Sequence, residues 1–293
     1  MTNPSIDRRG FLKTSLLPAA AVPLLSSVAV HAAAEQEQPV SAALGLTDTN
    51  VHLFDWPFRR LNYAQTKALL TKLKRHRIAQ AWAGTLEALL HKNLDAANAR
   101  LAEECRRHGE GFFVPMGSVN PVWPDWEEDL RRCQEVHNMR GIRLYPNFHN
   151  YTLDRPEFVR LIELATRRGL LVQIVIEMED ERVHHPVIAV PPVDAAPLTA
   201  VMKSFPQAKV QLLNGVTALA RRGSALVQEI GIVFDIANLE GTGAVGRLIE
   251  GQHWSIRTQV PAARLLQQPE PGPAVSLSPS SPKRCSRATR TAH

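Results

Sequence analysis

The chain of 293 residues is 44% hydrophobic and 21% charged, a composition that suits a soluble globular protein of one large α/β domain or two small ones. Its formal charge of +6 does not mark a nucleic-acid binder. Residues 1–34 carry net +2 and residues 267–293 net +3, which leaves the body at +1 with no concentrated basic footprint for phosphate.

Near the start, Asp7-Arg8-Arg9-Gly10-Phe11-Leu12-Lys13 has the form of a twin-arginine export signal. An apolar run from Ser15 to Val30 follows, broken by Pro18 and Pro23 and therefore a poor membrane span. Val30-His31-Ala32 offers a cleavage site. The expectation is a signal over residues 1–33, read by the twin-arginine export machinery, and a periplasmic or extracellular mature protein with no stable membrane insertion.

The body alternates strand and helix patterns. The first strand starts at Leu46 and ends at Trp56-Pro57, since proline cannot continue a ladder. Helices are predicted over 64–78, 95–108, 125–136, 155–168, 196–205 and 217–229, with another starting at Gly243. Strands are predicted over 79–86, 112–119, 140–145, 170–177, 209–214 and 232–237. Gly169 is placed to end the fourth helix, as a residue free to adopt positive φ. Repeated βα units with apolar strands imply parallel strands covered by helices.

Seven such units have the spacing of a (β/α)8 barrel. A doubly wound sheet is the alternative, but no glycine-rich phosphate turn follows the first strand. An eighth strand is due near Val260–Leu266, where the pattern gives way to a tail over 267–293 with five prolines and five serines, expected to be disordered. The predicted fold is thus an α/β barrel over 44–266, truncated after strand seven or early in strand eight. The three cysteines show no CxxC or Cys/His spacing, which argues against structural zinc, and a Cys105–Cys133 bridge stays open.

In such a barrel, chemistry sits at the C-terminal ends of the strands. Asp48, Asn50 and His52 recur every second residue on strand one, so they are expected to share a face. The other strand ends supply Glu87, Asn120, then Arg143, Tyr145, Asn147 and His149, then Glu177, Asn214, and finally Asp235, Asn238 and Glu240. His184 and His185 lie in an acidic loop after strand five, where neighbouring side chains point apart and suit a solvated loop better than a joint metal site. Glu179 and Arg182 of that loop form a candidate surface ion pair.

Asp48-Thr49-Asn50-Val51-His52 and Gly141-Ile142-Arg143-Leu144-Tyr145-Pro146, with Val233-Phe234-Asp235-Ile236 and Arg264-Leu265-Leu266, resemble the amidohydrolase superfamily in its branch of TIM-barrel metal-dependent hydrolases and decarboxylases. The resemblance implies a divalent metal, usually zinc, held by an HxH pair on strand one, a histidine after strand five and an aspartate on strand eight. This chain has Asn50 in place of the first histidine, Glu177 at the end of strand five and Asn214 at the end of strand six.

Two functional readings follow. In one, a metal held by Asn50, His52 and Glu177 activates water, while Asp48 and Asp235 act on protons. Arg143, Tyr145, His149 and Asn214 then bind a small carbonyl, amide or ester substrate. In the other, the barrel is metal-free and serves as a binding protein or an inactive homologue. A third outcome is a truncated product without function.

Overall fold

The computed structural model describes residues 46–109, 111–179, 182, 184–215, 232–237 and 242–243. The export signal, the helices expected over 217–229 and from Gly243, Asn238, Glu240, the eighth strand and the tail lie outside these residues.

The strands are β1 (Leu46–Leu53), β2 (Ile78–Thr85), β3 (Phe113–Pro115), β4 (Gly141–Leu144), β5 (Leu171–Val175), β6 (Lys209–Leu213) and β7 (Val233–Phe234). Between them run helices α1 (Thr66–Arg75), α2 (Leu94–Gly109), α3 (Trp126–Glu135), α4 (Pro156–Arg167) and α5 (Leu198–Ser204). Every strand pairing is parallel and sequential, in the orders β1-β2-β3 and β4-β5-β6-β7. A bridge between Gly117 and Ile142 joins the two runs. Gly117 and Gly141 must both lack a Cβ there: one added to Gly117 would lie 2.5 Å from Cys133 Sγ, and one added to Gly141 would lie 2.7 Å from the Leu171 carbonyl.

The sheet is strongly curled. In a flat sheet β1 and β7 would stand about 29 Å apart, at roughly 4.8 Å per strand. Here the Asn50 side chain on β1 reaches Asp235, just past β7, at 2.7 Å. The curl gives alternate residues of each strand two different environments. Ile142, Leu144, Val172, Ile174, Val210 and Leu212 point outwards into a core shared with Leu101, Leu130, Phe158, Leu161 and Leu198 of the helices. The residues between them point inwards. This is a parallel α/β barrel arrangement, as the βα spacing predicts.

The interior is layered. Trp82, Met116 and Leu171 form an apolar layer. Above it Arg143, Gln173 and Gln211 stand side by side on β4, β5 and β6. Tyr145, Val175 and Leu213 form the next layer, joined by Trp56 and Leu86 from the loops. Gly169 follows α4 at φ 67°, as expected of a residue that closes a helix. Cys105 and Cys133 are buried free thiols, so the bridge between them is not formed. Among the described residues no helix is long and apolar enough to cross a membrane.

Candidate functional site

Strand β1 does not keep its alternation. Its register against β2 shifts between Asp48 and Val51, where Thr49 and Asn50 together oppose Trp82. At this bulge the Asn50 N–H donates to Asp48 Oδ1 at 3.0 Å, so the Asp48 carboxylate is folded onto its own strand. Thr49 and Asn50 then both reach the interior. The expectation of one file of Asp48, Asn50 and His52 is corrected by this extra residue, which a period of two does not anticipate.

At the C-terminal ends of β1, β6 and β7 three side chains converge. Asn50 Nδ2 donates to Asn214 Oδ1 and to Asp235 Oδ2, each at 2.7 Å. The Asn214 backbone N–H donates to Asp235 Oδ1 at 2.8 Å, and Asn214 Nδ2 donates to the Glu177 carbonyl at 2.7 Å. Asn214 has φ 55°, a left-handed conformation that asparagine tolerates better than most residues, and this turns both its N–H and its amide onto the cluster. Burial raises the proton affinity of Asp235; the Asn214 N–H, the Asn50 amide and the Arg143 charge oppose that shift. Among the described residues the buried Asn50 Oδ1 has no hydrogen-bond partner.

Beneath this cluster Arg143 is fully buried and holds the interior together. Its Nε donates to Gln173 Oε1 at 2.9 Å. Its Nη2 donates to the carbonyls of Thr49 at 3.0 Å and Trp82 at 3.1 Å. Its Nη1 donates to the Val51 carbonyl at 2.7 Å and faces His52 Nε2 at 3.3 Å. A guanidinium has five N–H bonds, and all five are engaged. The substrate-binding role expected of Arg143 is therefore corrected, since it has no N–H left to offer.

Burial, and after it the Arg143 charge, hold His52 well below its ordinary pKa. Its ring lies 6.1 Å from that of Tyr145, whose phenol burial pushes up to about 12. Tyr145 in turn meets His149 edge-on at 5.9 Å. His149 gives its Nε2 hydrogen to the Ala88 carbonyl at 2.8 Å, and its buried Nδ1 has no partner among the described residues. Burial lowers its pKa, with the Ala88 hydrogen bond acting the other way.

Tyr145 also lines a small cleft with Asn147, Phe148, Val175, Met178 and Pro191. Its internal room is about that of one water molecule. Loops close around the same end of the strands. Arg59 pairs with Glu179 at 2.8 Å and ties the loop after β1 to the loop after β5. His184 meets the Glu179 carbonyl, whereas His185 packs on Phe58, so the two rings point apart as expected. Glu87 is spent on an ion pair with Arg100 at 2.8 Å, and Asn120 Oδ1 caps the Val122 N–H at 3.2 Å.

The sequence profile of a family described as amidohydrolase matches residues 47–213. The chain belongs to the amidohydrolase family. No curated protein sequence matches it. Among solved structures it is similar to 5-carboxyvanillate decarboxylase from Sphingomonas paucimobilis, at 13% identity over 71% of this chain and 85% of that one, with a TM-score of 0.51. It is also similar to a 2,6-dihydroxybenzoate decarboxylase, at 17% identity over 58% of this chain and a TM-score of 0.45; it spans 66% of that enzyme's length. A third is the D314N mutant of 5-carboxyvanillate decarboxylase from Novosphingobium aromaticivorans, solved with bound manganese, at 13% identity over 64% of this chain and 72% of that one, with a TM-score of 0.43. At these identities the likeness is one of fold.

The metal expected from the amidohydrolase resemblance does not fit the described residues. Nowhere among them do three or more His, Cys, Asp or Glu side chains converge on one point, so His52 and Glu177 are not brought into a three-ligand set. Asn50 aims its N–H2 group, not its oxygen, at the cluster. The lone pair of His52 faces a guanidinium. Two unit positive charges about 4 Å apart repel by roughly 4 kcal/mol in a protein interior, and a divalent ion doubles that figure.

Sequence reasoning missed Thr49, Gln173 and Gln211. Gln173 Nε2 donates to the Thr49 carbonyl at 2.9 Å and to Gln211 Oε1 at 2.8 Å, while Gln211 Nε2 donates to Thr49 Oγ1 at 2.9 Å. The signal was available. Leu171-Val-Gln173-Ile-Val and Lys209-Val-Gln211-Leu-Leu each hold a single amide inside a buried strand, and a buried amide requires partners.

Proposed function

We propose that this chain is an exported hydrolase that cleaves a small carbonyl, amide or ester substrate with water, using the Asp235 carboxylate as its proton carrier. The observation that carries the reading is the Asn50–Asn214–Asp235 cluster, with its unpartnered acceptor Asn50 Oδ1. Burial gives Asp235 a raised proton affinity, which suits a general base that must later return its proton. Asn50 Oδ1 is available to accept from water or from a substrate N–H. Water attacks the carbonyl carbon, Asp235 takes the proton and then delivers it to the leaving nitrogen or oxygen. Zinc has no step here, because the described residues do not assemble its ligands.

The experiment is hydrolysis of a panel of small esters, amides and lactones followed by proton release, for the purified chain, Asp235→Asn and Asn50→Ala. Loss of the general base is expected to lower kcat by roughly 10²–10⁴-fold. Equal rates in wild type and Asp235→Asn would remove Asp235 from the chemistry. Ligand-induced stabilisation without turnover would favour the binding-protein reading instead.

Export rests on Arg8-Arg9 and the apolar run that follows. Replacing both arginines by lysine is expected to retain the chain in the cytoplasm, whereas unchanged export would exclude the twin-arginine machinery as its partner.

A further inference from the structure

We infer that the Arg143 guanidinium is the resident cation of this barrel, seated on β1 and β2 so that His52 serves it as an acceptor and the site works without a divalent metal. The inference rests on the interior geometry, and it stands or falls separately from the hydrolytic reading.

Three observations carry it. The acceptors around Arg143 form a complete shell. The carbonyls of Thr49, Val51 and Trp82, the Gln173 side-chain oxygen and His52 Nε2 take one N–H each. The three carbonyls lie at the bulge between Asp48 and Val51 and on the strand facing it, so the guanidinium sits where the pairing of β1 with β2 is irregular. The seat is also fitted to its occupant. A Cβ on Gly84 would stand 2.9 Å from both Cδ and Nη1 of Arg143, so β2 leaves that space to the arginine. Finally, the cation has support nearby: Tyr145, then Asp235 and Asp48, favour it against its burial.

The consequence for His52 is specific. An arginine N–H can only donate, so the ring nitrogen facing it must hold a lone pair. That nitrogen is Nε2, and the ring proton belongs on Nδ1. The lone pair a metal would need is already engaged.

The test uses the full chain, with Zn(II) and Mn(II) as probes. Metal uptake is measured by equilibrium dialysis and elemental analysis for wild type and for His52→Gln, together with the thermal midpoint of each in both ions. The expected result is no uptake in wild type beyond that of His52→Gln, and no rise of the midpoint that depends on His52. In parallel, nitrogen NMR of the wild-type chain labelled at histidine is expected to show His52 protonated on Nδ1 and bare on Nε2, unchanged by added Zn(II). A stoichiometric metal in wild type that His52→Gln loses, or a His52 signal that moves to a metal-bound position with Zn(II), would overturn the inference. The NMR arm needs no variant, so a misfolded His52→Gln leaves the question decidable.

Discussion

Arg143 Nη1 lies 3.3 Å from His52 Nε2, and this contact couples the cation of the interior to the histidine of strand one. It fixes the protonation of both groups: the guanidinium keeps its charge, and the imidazole stays neutral. Around it β1 is held to β4 by Arg143 and to β5 by Gln173, through acceptors far apart in sequence.

Arg143 is expected to dominate the stability of the interior. Arg143→Met leaves five buried acceptors without donors, a loss of about 3–5 kcal/mol by urea denaturation. Arg143→Lys recovers only part of this, because an ammonium has three N–H bonds and lacks the planar fork. A loss below about 1 kcal/mol for Arg143→Met would show that the shell is incidental.

Gly84→Ala tests the same seat from the side of β2. The new methyl would press on Arg143 Cδ and Nη1, and five hydrogen bonds keep the arginine from yielding. The expected cost is about 1–3 kcal/mol, read as a shift of the urea midpoint. An unchanged midpoint would mean that the guanidinium moves freely.

His52 and His149 both titrate below the ordinary histidine value of 6.5 in the folded chain. Above that value neither state is protonated. As pH falls through it, the unfolded chain takes protons that the native state refuses, so stability is lost on acidification, by at most about 1.4 kcal/mol per pH unit for each histidine. His149→Gln and His52→Gln are each expected to flatten the slope in this acidic window. Identical slopes for both variants and wild type would contradict the burial of these rings.

Asn214 separates backbone strain from side-chain bonding. Asn214→Ala loses the bonds to Asn50 and to the Glu177 carbonyl and puts alanine at φ 55°. The expected cost is about 2–3 kcal/mol, from roughly 1 kcal/mol for each lost bond and a similar strain. Asn214→Gly relieves the strain and is expected to be about 1 kcal/mol less damaging. If glycine proved worse than alanine, the left-handed turn would not be what asparagine is there to serve.

The sequence alone determined the order and kind of the elements. Alternation within strands and the helical spacing of apolar residues are local patterns, so the seven strands and five α-helices of the described residues stand within a few residues of where those patterns put them. The same patterns brought Asn50, Asn214 and Asp235 to adjoining strand ends, since parallel strands point one way. Tertiary structure decided what the polar side chains do there. Whether Arg143 offers an N–H to a substrate depends on counting its acceptors, and those come from β1, β2 and β5, at separations of 30 to 94 residues. Whether Asp48 faces the site depends on one extra residue in β1, which shows only in the pairing with β2. Spacing is written along the chain, whereas the satisfaction of a buried donor is settled only when the sheet curls and distant strands come within hydrogen-bond reach.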